Sequence, residues 1–277
     1  MKTGSVEHRS LILSPGIAAC DVYAPAGKPV TPETEKLLII PGLGSVKTDY
    51  ARFATELAAQ DYQVISPDCN NGGDSSALQN RAEVVLEIMQ TLDEPIRLLP
   101  HSIGAPVTAL AMKDANMNNV VSINFLQPAA FTDHGPADIV SLTQFYFTEF
   151  LPRAHRLLPD VMRHNKHHGQ RFDFAKRIAE TWGLFKLDSD FMVNAVRDLY
   201  KQEVEMSFLV SPKDRLTPAN AIRQAVEPIV GSNRVRDVHP NAGHLAAQTH
   251  PRRMARLVIE QFNTISAPDN YELGAAA

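Results

Sequence analysis

Ile96-Arg97-Leu98-Leu99-Pro100-His101-Ser102-Ile103-Gly104-Ala105 decides the reading of this chain. A short apolar run ends in a serine, small residues follow it, and an apolar, helix-compatible stretch continues from Pro106 to Met112. The pattern predicts strand, sharp turn and helix, with Ser102 at the tip of the turn. Such a turn holds a hydroxyl out of the sheet in a strained, exposed pose. A serine hydroxyl is a poor nucleophile alone. It needs an imidazole base, itself oriented by a carboxylate. The chain supplies candidates for both downstream.

On either side of this turn, strand and helix patterns alternate. Leu37 to Ile40 is a continuous apolar run, as a buried parallel strand requires. Tyr50, Phe53, Ala54, Leu57 and Ala58 then fall on one helical face. Gln63 to Ser66 reads as a short strand, and Leu78, Ala82, Val85, Met89 and Leu92 as a second helical stripe, with Ser76 and Gln79 as a capping box. Val120 to Leu126, Val204 to Val210 and Val235 to Val238 read as strands. Thr217-Pro218 reads as an N-cap and first helical residue, opening Ala219 to Val226. Pro251 opens a last helix with Met254, Leu257, Val258 and Phe262 on one face. This alternation predicts an α/β fold, a mostly parallel sheet with helices on both faces.

Between the strands ending near Leu126 and beginning near Val204 the chain is too long for a simple crossover. Its stripes are helical: Ile139, Leu142, Tyr146; Phe174, Ile178, Trp182; Phe191, Ala195, Leu199. The expected organisation is therefore a core from residues 1–130 and 203–270, a helical lid insertion at 131–202, and a flexible tail at 271–277. The middle of the insertion is basic, with Arg153, Arg156, Arg163, Lys166 and Arg171 beside His155, His164, His167 and His168. A solvated helix face or a seat for an anionic substrate group both fit it. No carboxylate or cysteine at ligand spacing accompanies these histidines, so no metal is expected.

Composition narrows the function classes. The 277 residues carry 27 Lys and Arg against 31 Asp and Glu, which gives no electrostatic reason to expect a nucleic-acid or polybasic membrane partner. No apolar run approaches the ~20 residues of a spanning helix. Met1 to Ser10 lacks the apolar core of a secretory leader, so a cytoplasmic location is expected. Cys20 and Cys69, the only cysteines, suit either one disulfide or a reduced chain. Nothing in the sequence sets an oligomeric state. Gly42-Leu43-Gly44 is not a nucleotide loop. A dinucleotide pattern would need glycine at Lys47, and a phosphate loop ending in Lys47-Thr48 would need glycine at Val46.

For the base, the residues offer His244 in Asn241-Ala242-Gly243-His244, with His239 and His250 as rivals. For the acid they offer Asp214, after the apolar run Phe208-Leu209-Val210, and Asp133, after the Val120 strand.

Four blocks resemble the α/β-hydrolase superfamily in its order. Leu37 to Ser45 is similar to its strand and oxyanion turn, Ile65-Ser66-Pro67-Asp68 with Gly72-Gly73-Asp74-Ser75 to the next loop, Pro100 to Gly104 to its nucleophile elbow, and Phe208 to Asp214 with Asn241 to His244 to its acid and base loops. Two places depart from it: Pro100 stands where the elbow usually opens with Gly, and Pro41 where many relatives have His. Neither removes a reacting group. The resemblance implies Ser102 as nucleophile, His244 as base and Asp214 as acid. It implies Ile103 and Leu43 as oxyanion N–H donors, and Asp68 and Asp74 in turn-forming roles. Gly42, His101, Phe145 and Trp182 are expected against the substrate. The implied activity is cleavage of an ester or related acyl bond of a small molecule through an acyl-enzyme, without a cofactor. Thioesterase or acyltransferase, carbon–carbon bond hydrolase and non-catalytic receptor are the alternatives on the same fold.

Overall fold

A computed structural model describes residues 6–12, 19–28, 30–31, 33–43, 45, 47–69, 77–92, 94–115, 119–131, 187 and 190–265. Eight strands form one sheet: β1 (Val6–Ile12), β2 (Ala19–Pro25), β3 (Lys36–Ile40), β4 (Gln63–Pro67), β5 (Ile96–Pro100), β6 (Val120–Leu126), β7 (Glu205–Val210) and β8 (Val235–Asp237). Their order is β1-β2-β4-β3-β5-β6-β7-β8. From β4 to β8 every pairing is parallel, while β1 and β2 add antiparallel to the β4 edge.

The continuous apolar strands serve two cores at once. In β3, Leu38 and Ile40 join one buried cluster and Leu37 and Ile39 the other, because successive side chains of a strand point to opposite faces. The first cluster is closed by α2 (Ala77–Leu92), α3 (Gly104–Met112), α4 (Phe191–Lys201) and α5 (Ala219–Val230). The second is closed by α1 (Ala51–Ala58), the one-turn α6 (Ala246–Thr249) and α7 (Pro251–Ile265). Phe53, Leu57, Val258 and Phe262 are fully or almost fully buried there. α3 is buried nearly all round, which is why its sequence is apolar without a polar face.

The chain leaves β3 for α1 on one face and leaves β5 for α3 on the other. The carboxyl ends of β3 and β5, which are adjacent, therefore form a topological switch point. In open α/β sheets a crevice for ligands opens there. The turns bearing Gly42 and Ser102 lie at this point.

Three differences from the sequence reading have local causes. Thr217 does not cap α5: Pro218 stands at the N-cap, and the Thr217 hydroxyl and N–H both donate to Asp214. α5 continues past Val226 to Val230 with Pro228 inside it. Residues 191–201, within the stretch expected as lid, form α4, whose Met192, Val196 and Leu199 are buried in the first cluster. Cys20 and Cys69 are both buried and form no disulfide. Burial, with Cys69 next, pushes the Cys20 thiol up to about 12. Ser76, Asp74, Asp133, the basic run at 153–171, the stripes between Ile139 and Trp182, and the 271–277 tail lie outside the described residues.

Candidate active site

β5 gives way to α3 at Ser102, whose φ of 54° lies in the left-handed region. That conformation costs a side-chain-bearing residue about 1–2 kcal/mol and persists only where neighbours over-determine it. Here they do. The His101 N–H donates to the Ile40 carbonyl and the Ser102 N–H to the Leu126 carbonyl, both at 3.0 Å. The Ser102 carbonyl accepts from Ala105 at 3.0 Å and from Ala129 at 3.1 Å. Two glycines make the crowding tolerable. A Cβ on Gly104 would overlap the Ile40 carbonyl, and one on Gly42 would stand 2.9 Å from His101 Nδ1 and 3.3 Å from Ser102 Cβ.

His244, in the loop between β8 and α6, brings its ring to this turn. Its Nε2 lies 2.8 Å from Ser102 Oγ and its Nδ1 lies 2.7 Å from Asp214 Oδ2. Asp214, in the loop after β7, is held by its own neighbours. Oδ1 accepts from the N–H groups of Leu216 and Thr217, and Oδ2 accepts from Thr217 Oγ1 at 2.6 Å. Burial pushes the Asp214 carboxyl upward, but His244 and the hydrogen bonds from His244 and Thr217 outweigh it, and the net direction is down. An ionised carboxylate only accepts. The proton between the pair therefore sits on His244 Nδ1, and the Nε2 lone pair faces the Ser102 hydroxyl. Such an arrangement can draw the hydroxyl proton as Oγ attacks an electrophile.

Two backbone N–H groups belong to the turns that carry Gly42 and Ser102. Ile103 follows the serine and is buried, and Leu43 follows Gly42 in the turn after β3 and is half-buried. Neither N–H donates to another described residue. The Gly42 carbonyl accepts from the Ser45 N–H at 3.2 Å and from the buried Arg81 guanidinium at 3.4 Å; Arg81 also donates to the Pro41 carbonyl. A trans peptide points its C=O and N–H in opposite directions. Holding the Gly42 carbonyl toward Arg81 thus turns the Leu43 N–H the other way.

His101 is 1% exposed, and both ring nitrogens are engaged: Nδ1 by the Tyr50 hydroxyl at 2.7 Å and Nε2 by the His244 carbonyl at 3.0 Å. No polar atom of His101 is left for a substrate. His239 and His250 stack on each other at 6.3 Å, and His239 Nδ1 accepts from the Asn241 N–H. Phe145 and Trp182 lie outside the described residues. Lys47 is fully buried in an ion pair with Asp21 at 2.7 Å. Among the described residues, no group of three or more His, Cys, Asp or Glu could hold a metal ion, and no helix is long and apolar enough to cross a membrane.

Sequence reasoning missed Gln127, which follows β6 at a φ of 46° and is fully buried. Its amide donates to the Gly243 carbonyl and lies 3.4 Å from Asp214 Oδ2, bridging the acid and base loops. Tyr50 and Arg81 were missed as well. No motif marks any of the three.

A model of the alpha/beta hydrolase family matches residues 37–257, and the chain belongs to that family. Its fold is similar to that of 2-hydroxy-6-oxo-6-phenylhexa-2,4-dienoate hydrolase from Rhodococcus sp. strain RHA1, with a TM-score of 0.65 at 15% identity, covering 94% of this chain and 100% of that one. A thermophilic esterase from Thermogutta terrifontis matches with a TM-score of 0.60 at 16% identity over 94% of this chain and 99% of the other. The thioesterase domain from the curacin biosynthetic pathway matches with 0.58 at 16% identity, over 92% and 99%. At such identities the likeness is one of fold. No curated protein sequence matches significantly.

Proposed function

We propose that the chain is a serine hydrolase cleaving an ester or related acyl bond of a small molecule. The observation carrying this is the His244 ring, 2.8 Å from Ser102 Oγ on one side and 2.7 Å from Asp214 on the other. Ser102 Oγ attacks the acyl carbon as His244 Nε2 takes its proton. The oxyanion that forms accepts hydrogen bonds from the Ile103 and Leu43 N–H groups. Collapse breaks the bond to the leaving group, and His244 returns the proton to it. Water, deprotonated by the same ring, then attacks the acyl-enzyme and frees Ser102. The chain's own groups and water balance every step, so no cofactor or metal enters. We place the enzyme in the cytoplasm, with the part of the 131–202 insertion outside α4 contributing a lid whose Phe145 and Trp182 meet the acyl group.

A fluorophosphonate probe should label the protein once, at Ser102, and Ser102→Ala should abolish labelling and lower turnover by about 10⁶. Asp214→Asn should lower turnover by about 10⁴ through the wrong imidazole tautomer, while Asp133→Asn should change little. Labelling elsewhere, or an active Ser102→Ala protein, would overturn the reading. A second reading, a carbon–carbon bond hydrolase, is favoured by the likeness to the Rhodococcus enzyme, whose name describes hydrolysis of a dienoate. A screen of p-nitrophenyl esters and acyl-CoA thioesters separates the two. Preference for thioesters would move the activity to a thioesterase. Probe labelling with inertness to both substrate sets would move it to the carbon–carbon bond.

A further inference from the structure

Beneath Ser102 runs a buried hydrogen-bond chain that the hydrolytic steps do not use. The Gly42 N–H donates to Tyr50 Oη at 3.0 Å. Tyr50 Oη lies 2.7 Å from His101 Nδ1, and His101 Nε2 lies 3.0 Å from the His244 carbonyl oxygen. The proton positions follow from what each atom can do. A carbonyl oxygen only accepts, so His101 Nε2 carries a proton. A neutral imidazole has one N–H, so Nδ1 accepts and the Tyr50 hydroxyl donates to it. The Tyr50 oxygen in turn accepts from Gly42. Burial, then His244, holds His101 down at about 3, and burial pushes Tyr50 up to about 12, so both stay neutral. Each link has one polarity, and the chain runs from the oxyanion turn to the base loop without a break.

We propose that Tyr50 and His101 are positioning residues that set the oxyanion turn at Gly42 and the base loop at His244 in register on either side of Ser102. The proposal rests on the hydrolytic reading of Ser102 and His244. Sequence makes the need plain. Gly42 and His244 belong to loops after different strands, and the His244 ring is fixed by Asp214 only at Nδ1. In the base loop the Ala242 and Gly243 carbonyls accept from Ser211 and Gln127, and the carbonyl of His244 itself accepts from His101 Nε2. Direct contact adds to the bond: Gly42 is close enough to His101 Nδ1 that a Cβ there would stand 2.9 Å away. The His101 and His244 rings lie 5.2 Å apart. A shift of either ring is therefore felt at Oγ, and a misplacement of about 1 Å can cost about 10² in rate.

Three variants separate the links. Tyr50→Phe keeps the ring and removes the hydroxyl. His101→Gln can keep a donor near the Nε2 position, and His101→Leu removes both links. Turnover is measured per folded molecule, from near-ultraviolet dichroism and fluorophosphonate titration. His101→Leu should lower kcat by about 10² with KM within about twofold. His101→Gln should recover a large part of that loss, and Tyr50→Phe should fall between. A second readout needs no activity: the downfield proton resonance of His244 Nδ1–H in its bond to Asp214, assigned by its loss in His244→Gln. It should be sharp in the parent and in Ser102→Ala, and broadened or absent in His101→Leu. If this resonance is unchanged in His101→Leu and Tyr50→Phe, the positioning role is wrong, whatever the activity. If the resonance changes while the parent is inert to the probe and to every ester, the positioning role stands and the hydrolytic reading fails.

Discussion

His101 is a histidine kept neutral by burial, and that has a consequence for stability. Its folded value of about 3 lies below the ordinary 6.5. Below pH 6.5 the unfolded chain takes up a proton at this residue and the folded chain does not. Its share of stability is therefore intact above that pH and is lost as the pH falls toward the folded value, at up to about 1.4 kcal/mol per pH unit. The groups facing the ring are the Tyr50 hydroxyl, the His244 ring and carbonyl, the Gln127 side chain and, through charge, Asp214. Asp214, held low, loses its own contribution only at more acid pH, as the pH falls through its folded value. Urea unfolding of the parent and of His101→Gln between pH 6.5 and 4.5 should show a slope smaller in the variant by about one proton. Equal slopes would mean that the ring takes up its proton in the folded state. Such a residue is only half legible in sequence. Ser102, Asp214 and His244 stand out because nucleophile, acid and base must be particular residue types after particular strands. Tyr50 and Gln127 are ordinary residue types. Their roles exist only in contacts with residues far along the chain, 51 positions from Tyr50 to His101 and 116 from Gln127 to Gly243.

Elements were legible where one force dominated. β3 and β5 are buried throughout and read as apolar runs, and β6 reads as a strand through its β-branched residues. β1 and β2 left no such trace. β1 is an edge strand whose Glu7, His8 and Arg9 are exposed, and β2 buries Asp21 in an ion pair with Lys47. Thr217 was misread because a hydroxyl before Pro218 suits a helix cap as well as a carboxylate partner, and only the fold brings Asp214 to it. The junction of β3 and α3 gives a test at this scale. Gly104 opens α3 against the Ile40 carbonyl, which is backbone and cannot rotate away. Gly104→Ala adds one methyl group. In spite of the better helix propensity of Ala, it should destabilise the protein by about 1–3 kcal/mol through overpacking. It should also slow labelling of Ser102, two residues away. A variant as stable as the parent in urea, labelled at the same rate, would show that the α3 start moves freely from β3.

Among the described residues, two helical layers clamp one sheet, and the site gathers loops from β3, β5, β6, β7 and the segment after β8 at one sheet end. Each helix in those layers is needed to close a core, and this bounds what can be removed. Met192, Val196 and Leu199 of α4 are at most 4% exposed and pack in the cluster that also holds α3 and α5. Replacing residues 131–202 by a Gly-Ser linker would strip those side chains from the core. Losing large buried side chains costs about 2–5 kcal/mol each, enough to unfold an ordinary domain. Replacing only 132–186 leaves α4 in place, and a flexible linker spans the gap at small entropic cost. The shorter replacement should fold and retain single-site labelling at Ser102, and the longer one should not. The folded variant then tests the proposed lid. If residues 132–186 supply apolar contact to the acyl chain, KM should rise far more for octanoate than for acetate esters, at about 0.8 kcal/mol per methylene no longer covered. Equal losses for both esters would remove the acyl wall from this segment, and its basic run at 153–171 would then be better read as a surface for a partner.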